Sequence, residues 1–171
     1  MDFAGLVSSY LPNNKDMESK NRINVLYVDD ESHNLYVFKA NFRLDYNVFI
    51  APSAEEGLKI LHAHDIHIII TDQRMPETTG VEFLASIIPH FPDPIRILLT
   101  GYSDIGAVIE AVNKGQIFHY LSKPWDDKNL REVIEKAYEL YQSRKEEQEK
   151  MNDLLKTNEQ LEFHLRQSLL S

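Results

Sequence analysis

The sequence predicts an α/β protein whose parallel sheet is covered on both faces by helices. Five short apolar runs alternate with five stretches of helical periodicity, and such alternation calls for parallel strands joined by right-handed crossovers. The central run, residues 66–70 in IHIIITDQRMP, is β-branched and polar only at His67, as a strand buried on both faces must be. The runs also end in polar residues, so one edge of the sheet collects them.

Residues 1–21 mix a few apolar side chains with Asn13, Asn14 and charges, and are expected to form a mobile arm, although Phe3, Leu6, Val7 and Tyr10 have the spacing of a short docking helix. Residues 23–28 make a first strand that ends in Asp29-Asp30-Glu31. Residues 32–44 read as a helix turning Leu35, Phe38 and Phe42, with Val37 nearby, to the sheet. A short second strand covers 46–51. Ser53 is an N-cap with Glu56 three residues on, a capping box that opens a helix through Leu58 and Leu61. After the central strand, Met75-Pro76 and Gly80 break the chain into a loop. Residues 81–90 form a third helix, stopped by Pro89, Pro92 and Pro94. The fourth strand, 95–99, ends in Thr100-Gly101. The fourth helix, 104–114, carries Ile105, Val108, Ile109 and Val112 on its apolar face and Gly115 as its C-cap. The fifth strand, 117–121, leads into Ser122-Lys123-Pro124. A fifth helix begins at Asp126, and nothing in the sequence stops it.

With no break in composition before about residue 142, the 171 residues hold one domain with a sizeable core, 22–142, and an appendage, 143–171. No apolar stretch approaches the roughly 18 residues of a membrane span. The first dozen residues carry Asp2 rather than a basic leader and make a poor signal peptide. Zero cysteines exclude disulfide and thiolate chemistry and fit a reducing compartment, so the expected location is cytoplasmic. Eighteen basic against 27 acidic residues, a net charge of −9, oppose non-specific binding to phosphate backbones. His62, His64 and His67 straddle a helix end and a strand instead of sharing a helix face, so no zinc site is expected of them.

Side by side, the strand ends put Asp29, Asp30 and Asp72, then Thr100 and Lys123, on one edge. An acid directly after a buried run belongs at the carboxyl edge of an open α/β sheet, where such folds keep their sites. Alone, Asp72 reads equally well as a turn former. Together these are the parts of a phosphoryl-transfer site. An Asp carboxylate can be the nucleophile that forms an aspartyl phosphate. Acids crowded within about 4 Å repel by roughly 1 to 4 kcal/mol per pair and call for a hard divalent cation, and Mg²⁺ takes one or two carboxylates plus phosphate oxygens and water. Lys123 can neutralise phosphoryl oxygens, and the Thr100 hydroxyl can hydrogen-bond one.

The stretches VDDE, IIITDQRMP, LLTG and YLSKPW, in this order and at this spacing, resemble the receiver domain of two-component response regulators over about residues 22–141. The resemblance implies a flavodoxin-like three-layer sandwich with strand order 2-1-3-4-5 and a cis Lys123-Pro124 bond. It implies that Asp72 is the phospho-acceptor, that Asp30 and Asp72 bind Mg²⁺ with the backbone carbonyl of Arg74, and that Asp29 supports the metal site. Thr100 becomes the switch hydroxyl, Tyr120 the switch aromatic and Lys123 the phosphate partner. The implied partners are a histidine kinase or phosphotransfer protein upstream and an unnamed protein downstream. The implied chemistry is self-phosphorylation and self-dephosphorylation only. Arg74, two residues after Asp72, and Tyr102, two after Thr100, are bulky at positions that in this family affect access to the phosphoryl group.

Two other functions are open to these residues. A haloacid dehalogenase-type phosphatase also combines acids, a hydroxyl and a lysine, but needs a DxDx(T/V) run on its first strand, which Val28-Asp29-Asp30-Glu31 lacks. A phosphorylation-independent adaptor has no use for an intact acid site. A dinucleotide site is excluded, because the first strand leads into DDESHN without a glycine.

In the last helix a heptad places Leu130, Val133, Ala137 and Leu140 at a and d, then Arg144 and Glu147, then Met151, Leu154, Asn158, Leu161, Leu165 and Ser168. The first group is expected to pack on the domain and residues 151–165 to pair with a second copy as a parallel coiled coil, Asn158 fixing the register. Residues 143–171 carry five basic and six acidic side chains, a net of −1, and are too short for a helix-turn-helix, so direct nucleic-acid binding is not expected.

Overall fold

The structure, a computed structural model, describes residues 22–101, 103 and 105–171; the expected amino-terminal arm and Tyr102 lie outside the described residues. The apolar runs become strands β1 (Asn24–Val28), β2 (Asn47–Ala51), β3 (Ile68–Asp72), β4 (Ile95–Thr100) and β5 (His119–Ser122). Helices α1 (Ser32–Phe42), α2 (Ala54–Ala63), α3 (Gly80–Ile87), α4 (Ile105–Asn113) and α5 (Asp127–Leu170) alternate with them. Every strand pair is parallel and the order is β2-β1-β3-β4-β5, the flavodoxin-like arrangement. The order reverses between β1 and β3, which opens a crevice at their carboxyl ends.

Period-two alternation divides the strand side chains between two cores. Tyr27, Ile68, Ile70, Ile97 and Leu99 pack with Leu35, Phe38 and Phe42 of α1 and Leu130, Ile134 and Ala137 of α5. Leu26, Val28, Ile69 and Leu98 pack with Leu61 of α2, Phe83, Leu84 and Ile87 of α3, and Val108 and Ala111 of α4. Both faces of β3 are therefore apolar, and all five of its residues are buried.

Several local expectations are modified. Ser53 Oγ accepts the Glu56 N–H at 3.2 Å, but the Glu56 carboxylate pairs with Lys59 Nζ at 2.7 Å. A complete capping box stands instead at α3, where Thr79 Oγ1 accepts from Glu82 N at 3.2 Å and the Glu82 carboxylate accepts from Thr79 N at 3.0 Å. Gly80, expected as a loop breaker, is the buried first residue of α3; a Cβ there would overlap the Asp72 carbonyl oxygen and come within 2.8 Å of Leu98 Cδ1. On α4, Ala111 takes a sheet-facing position beside Val108, which turns Ile105 and Ile109 outward to 44% and 46% exposure. Gly115 closes that stretch with φ +70°, a backbone that side chains with a Cβ rarely adopt.

The 44-residue α5 is two things in one element. Its first part buries Leu130, Val133 and Ala137, with Leu140 packed beside them, as the heptad predicts, and it also brings in Ile134, Tyr138 and Tyr141, which the heptad does not name. Lys145, half-buried, ends this contact by pairing with Asp93 at 2.6 Å. From residue 146 onward every side chain is exposed. No helix among the described residues is long and apolar enough to cross a membrane.

Candidate functional site

β1 and β3 are neighbours in register, with Val28 opposite Thr71, so their next residues, Asp29 and Asp72, meet at the crevice. Asp30 follows Asp29. One ligand atom from each of the three acids lies within 4.8 Å of the others, and no other group of three His, Cys, Asp or Glu with this property occurs among the described residues. Asp29 is fully buried, Asp72 is 7% exposed and Asp30 is exposed, so the cluster runs from the interior to the mouth.

Lys123 enters from the far side of the sheet. Its N–H continues the β4–β5 ladder by donating to Thr100 O at 3.0 Å, and the Lys123-Pro124 bond is cis, as the family resemblance implies. Its Nζ stands 2.8 Å from Asp29 Oδ2 and 3.1 Å from Asp72 Oδ1. Burial alone pushes Asp29 up, but hydrogen bonds from Lys123, Tyr27 and the Glu31 N–H outweigh it and hold the carboxyl below its ordinary range. For Asp72 burial wins over Lys123, with Asp29 adding to it, and the carboxyl is pushed up. Burial works against the charge on Lys123, but the two acids prevail and raise its ammonium. One shared cation pulls both carboxyls down, and burial overrides it at Asp72 alone, so the two neighbours shift in opposite directions, as perturbed groups that cluster at functional sites often do.

The other expected residues surround this group. Thr100 is 2% exposed and its hydroxyl donates to Gly101 O at 3.0 Å. Tyr120 is half-buried in the core beneath α4 and sits opposite Leu98, so Thr100 and Tyr120 lie on the same face, two residues apart in level. Arg74 is exposed at the mouth, where its guanidinium donates to Ser103 Oγ. With Asp30, Gln73, Met75, Pro76 and Thr79 it lines a cavity of 330 Å³.

Two residues at the site escaped the sequence reading. Gln73 Oε1 accepts the Val81 N–H at 3.0 Å and anchors the start of α3; no pattern in the sequence announces it. Tyr27, fully buried, donates its hydroxyl to Asp29 Oδ2 at 2.5 Å. The sequence says only that Tyr27 and Asp29, two apart at the end of a strand, can share a face, and leaves the partner of the hydroxyl open.

Residues 25–135 match the response regulator receiver domain family. The chain belongs to that family. The receiver is 35% identical over 122 residues to the hydrogenase transcriptional regulatory protein HoxA of Bradyrhizobium diazoefficiens and 32% identical over 116 residues to the transcriptional regulatory protein ZraR of Escherichia coli K12. These alignments cover 71% and 67% of this chain but 25% and 26% of those proteins, so the receiver spans about a quarter of the curated relatives it matches. Among solved structures, it resembles adenylate cyclase from Rhodopirellula baltica with a TM-score of 0.74 at 29% identity, covering 77% of this chain and 98% of that one. It resembles a response regulator receiver domain protein from Clostridium thermocellum with a TM-score of 0.66 at 33% identity, covering 70% and 97%.

Proposed function

We propose that this receiver accepts one phosphoryl group on Asp72 from a histidine kinase or phosphotransfer protein, in a Mg²⁺-dependent phosphorelay. The observation that carries the reading is Asp72 Oδ1 within 3.1 Å of Lys123 Nζ, in a cluster with two further acids at the crevice of the sheet. A carboxylate oxygen of Asp72 attacks the phosphorus of a phosphohistidine or of a small acyl phosphate. The new P–O bond forms as the P–N or P–O bond to the donor breaks, and the donor leaves with the electron pair.

Asp29, Asp30 and Asp72, with the backbone carbonyl of Arg74, would hold Mg²⁺. Hard oxygen donors suit it, and the cluster holds three carboxylates of which Lys123 pairs with two, Asp29 and Asp72. When bound, the cation screens the acids from one another and from the incoming phosphoryl oxygens. Lys123 then shifts from Asp29 to a phosphoryl oxygen, and the Thr100 hydroxyl turns from the Gly101 carbonyl to another. Tyr120, on the same face, takes the space that Thr100 leaves, which remodels the surface of α4, β5 and the start of α5.

This makes the chain a signalling module with self-phosphorylation and self-dephosphorylation as its only chemistry. A phosphatase of the haloacid dehalogenase type is disfavoured by the family match and by Asp29-Asp30-Glu31, which lacks that nucleophile motif. Beyond residue 145, Met151, Leu154, Asn158, Leu161 and Leu165 continue the line of Leu130, Val133, Ala137 and Leu140, and the four apolar ones among the five are more than half exposed. A second copy of the chain, paired in parallel, supports the output to a downstream protein.

Incubation with acetyl phosphate, followed by intact mass, tests the reading. One phosphoryl group is expected with Mg²⁺, none after chelation and none in Asp72→Asn. Full labelling of that variant rejects the acceptor, and steady turnover of phosphate esters by the parent points to the phosphatase.

A further inference from the structure

Asp29 is saturated by the chain's own donors. Its Oδ1 accepts from Glu31 N at 2.9 Å, and its Oδ2 faces three donors: Tyr27 Oη at 2.5 Å, Lys123 Nζ at 2.8 Å and Asn34 Nδ2 at 3.1 Å. A carboxylate oxygen has two lone pairs, so the three compete for the same electron density. Lys123 alone carries full charge and also reaches Asp72. Tyr27 cannot leave, because it is fully buried and held by Phe38, 4.6 Å between ring centroids.

The same phenol touches the root of α5. Its ring meets Trp125 edge-on, 5.9 Å between centroids at 80°, and Trp125 Nε1 donates at 3.0 Å to the carboxylate of Asp127, the first residue of that helix. The geometry points to Tyr27 as a positioning residue that sets how strongly Asp29 holds a cation and ties the occupancy of the acid cluster to Trp125. This rests on the cluster being a cation site. When a divalent cation draws on Asp29, or Lys123 leaves it, the share of Oδ2 given to the hydroxyl changes, and the ring shifts against Trp125. Without the hydroxyl, that density returns to cation and lysine, and the ring loses its tie to the acid.

Trp125 is the one tryptophan of the whole chain, so its emission reports on this place alone. The test titrates the full chain and Tyr27→Phe, which keeps the ring, with MgCl₂, following binding by calorimetry and Trp125 by fluorescence. The parent emission is expected to change in step with the binding heat. The variant is expected to bind Mg²⁺ about three- to tenfold tighter, a hydrogen bond to a charged acceptor having been removed, while losing most of the emission change. Parent emission blind to bound Mg²⁺, an unchanged affinity in the variant, or an unchanged emission response in it each overturns the inference and leaves the cation site standing. No binding heat in the parent overturns both.

Discussion

Lys123→Met keeps the length of the stem and removes the only cation between two buried acids. The side chains of Asp29, fully buried, and Asp72, 10% exposed, then face each other without a counter-charge, and the Lys123 side chain is only 22% exposed. Breaking a buried pair by removing one partner costs several kcal/mol; because the mouth of this site is partly solvated, about 2 to 4 kcal/mol is expected at pH 7.5. The pH dependence separates lost charge pairing from lost packing. In the parent, the depressed Asp29 carboxyl contributes stability that is present above its unfolded value near 3.8 and lost as pH falls through its folded value. The raised Lys123 ammonium contributes stability that is present below its ordinary 10.5 and lost as pH rises through its folded value. Asp72 works in the opposite sense, since its raised carboxyl makes ionisation cost stability as pH rises above 3.8. Without Lys123 both carboxyls move up, so the variant regains stability relative to the parent as the pH drops toward the carboxylate range. Urea unfolding followed by circular dichroism at pH 5 and 7.5 with EDTA measures the difference, which is expected to shrink at the lower pH. Mg²⁺ at ten times its dissociation constant should return about 1.4 kcal/mol at pH 7.5. A deficit that is the same at both pH values refutes the account of Lys123 as the counter-charge of this pair.

Gly80→Ala places a Cβ against the Asp72 carbonyl and Leu98, with backbone on one side that cannot yield; a loss of about 1 to 3 kcal/mol in thermal unfolding, together with slower labelling from acetyl phosphate, is expected. The Tyr46 hydroxyl is buried with no hydrogen-bond partner among the described residues, and burial pushes it up to about 12; Tyr46→Phe should therefore be neutral or stabilise by up to about 1 kcal/mol in urea unfolding. Truncation after Gln148 retains the Lys145–Asp93 pair and removes only exposed side chains; sedimentation should show a dimer for the full chain and a monomer for the shortened one, and a full-length monomer at tens of micromolar removes the coiled coil.

The layers were legible because burial writes itself into composition, whereas the strand order followed from the family resemblance alone. β3 lies between two apolar cores, so its residues cannot alternate, and the acid that ends it stands out against them. Asp29, Asp30, Asp72 and Lys123 were equally readable, since a charged group set against an apolar run is costly to bury unless partners or a ligand compensate it. Contacts chosen among chemical equals were harder. A buried tyrosine satisfies its ring by packing, and nothing local says that its hydroxyl finds Asp29 instead of a carbonyl. The two signatures Ser53/Glu56 and Thr79/Glu82 differ in outcome because Lys59 competes for the first glutamate. Ile105 and Ile109 read as core from their spacing alone, whereas the small Ala111 decides how α4 rolls on the sheet.

The uninterrupted α5 has a mechanical consequence. It holds neither glycine nor proline from Asp127 to Leu170, so no residue in it invites a hinge. The part beyond Lys145 projects about 38 Å at 1.5 Å per residue, and over that length a tilt of about 5° at the root sweeps the tip by about 3 Å. The root is pinned by the ring of Trp125, by Asn41 donating to Asp127 at 2.9 Å and by Lys145 on Asp93, so a rearrangement of a few tenths of an ångström near these anchors is geared up along the rod. The fulcrum of this rod is Lys145, at the sheet edge away from the acid cluster, so whatever grips its far end would feel displacement rather than charge.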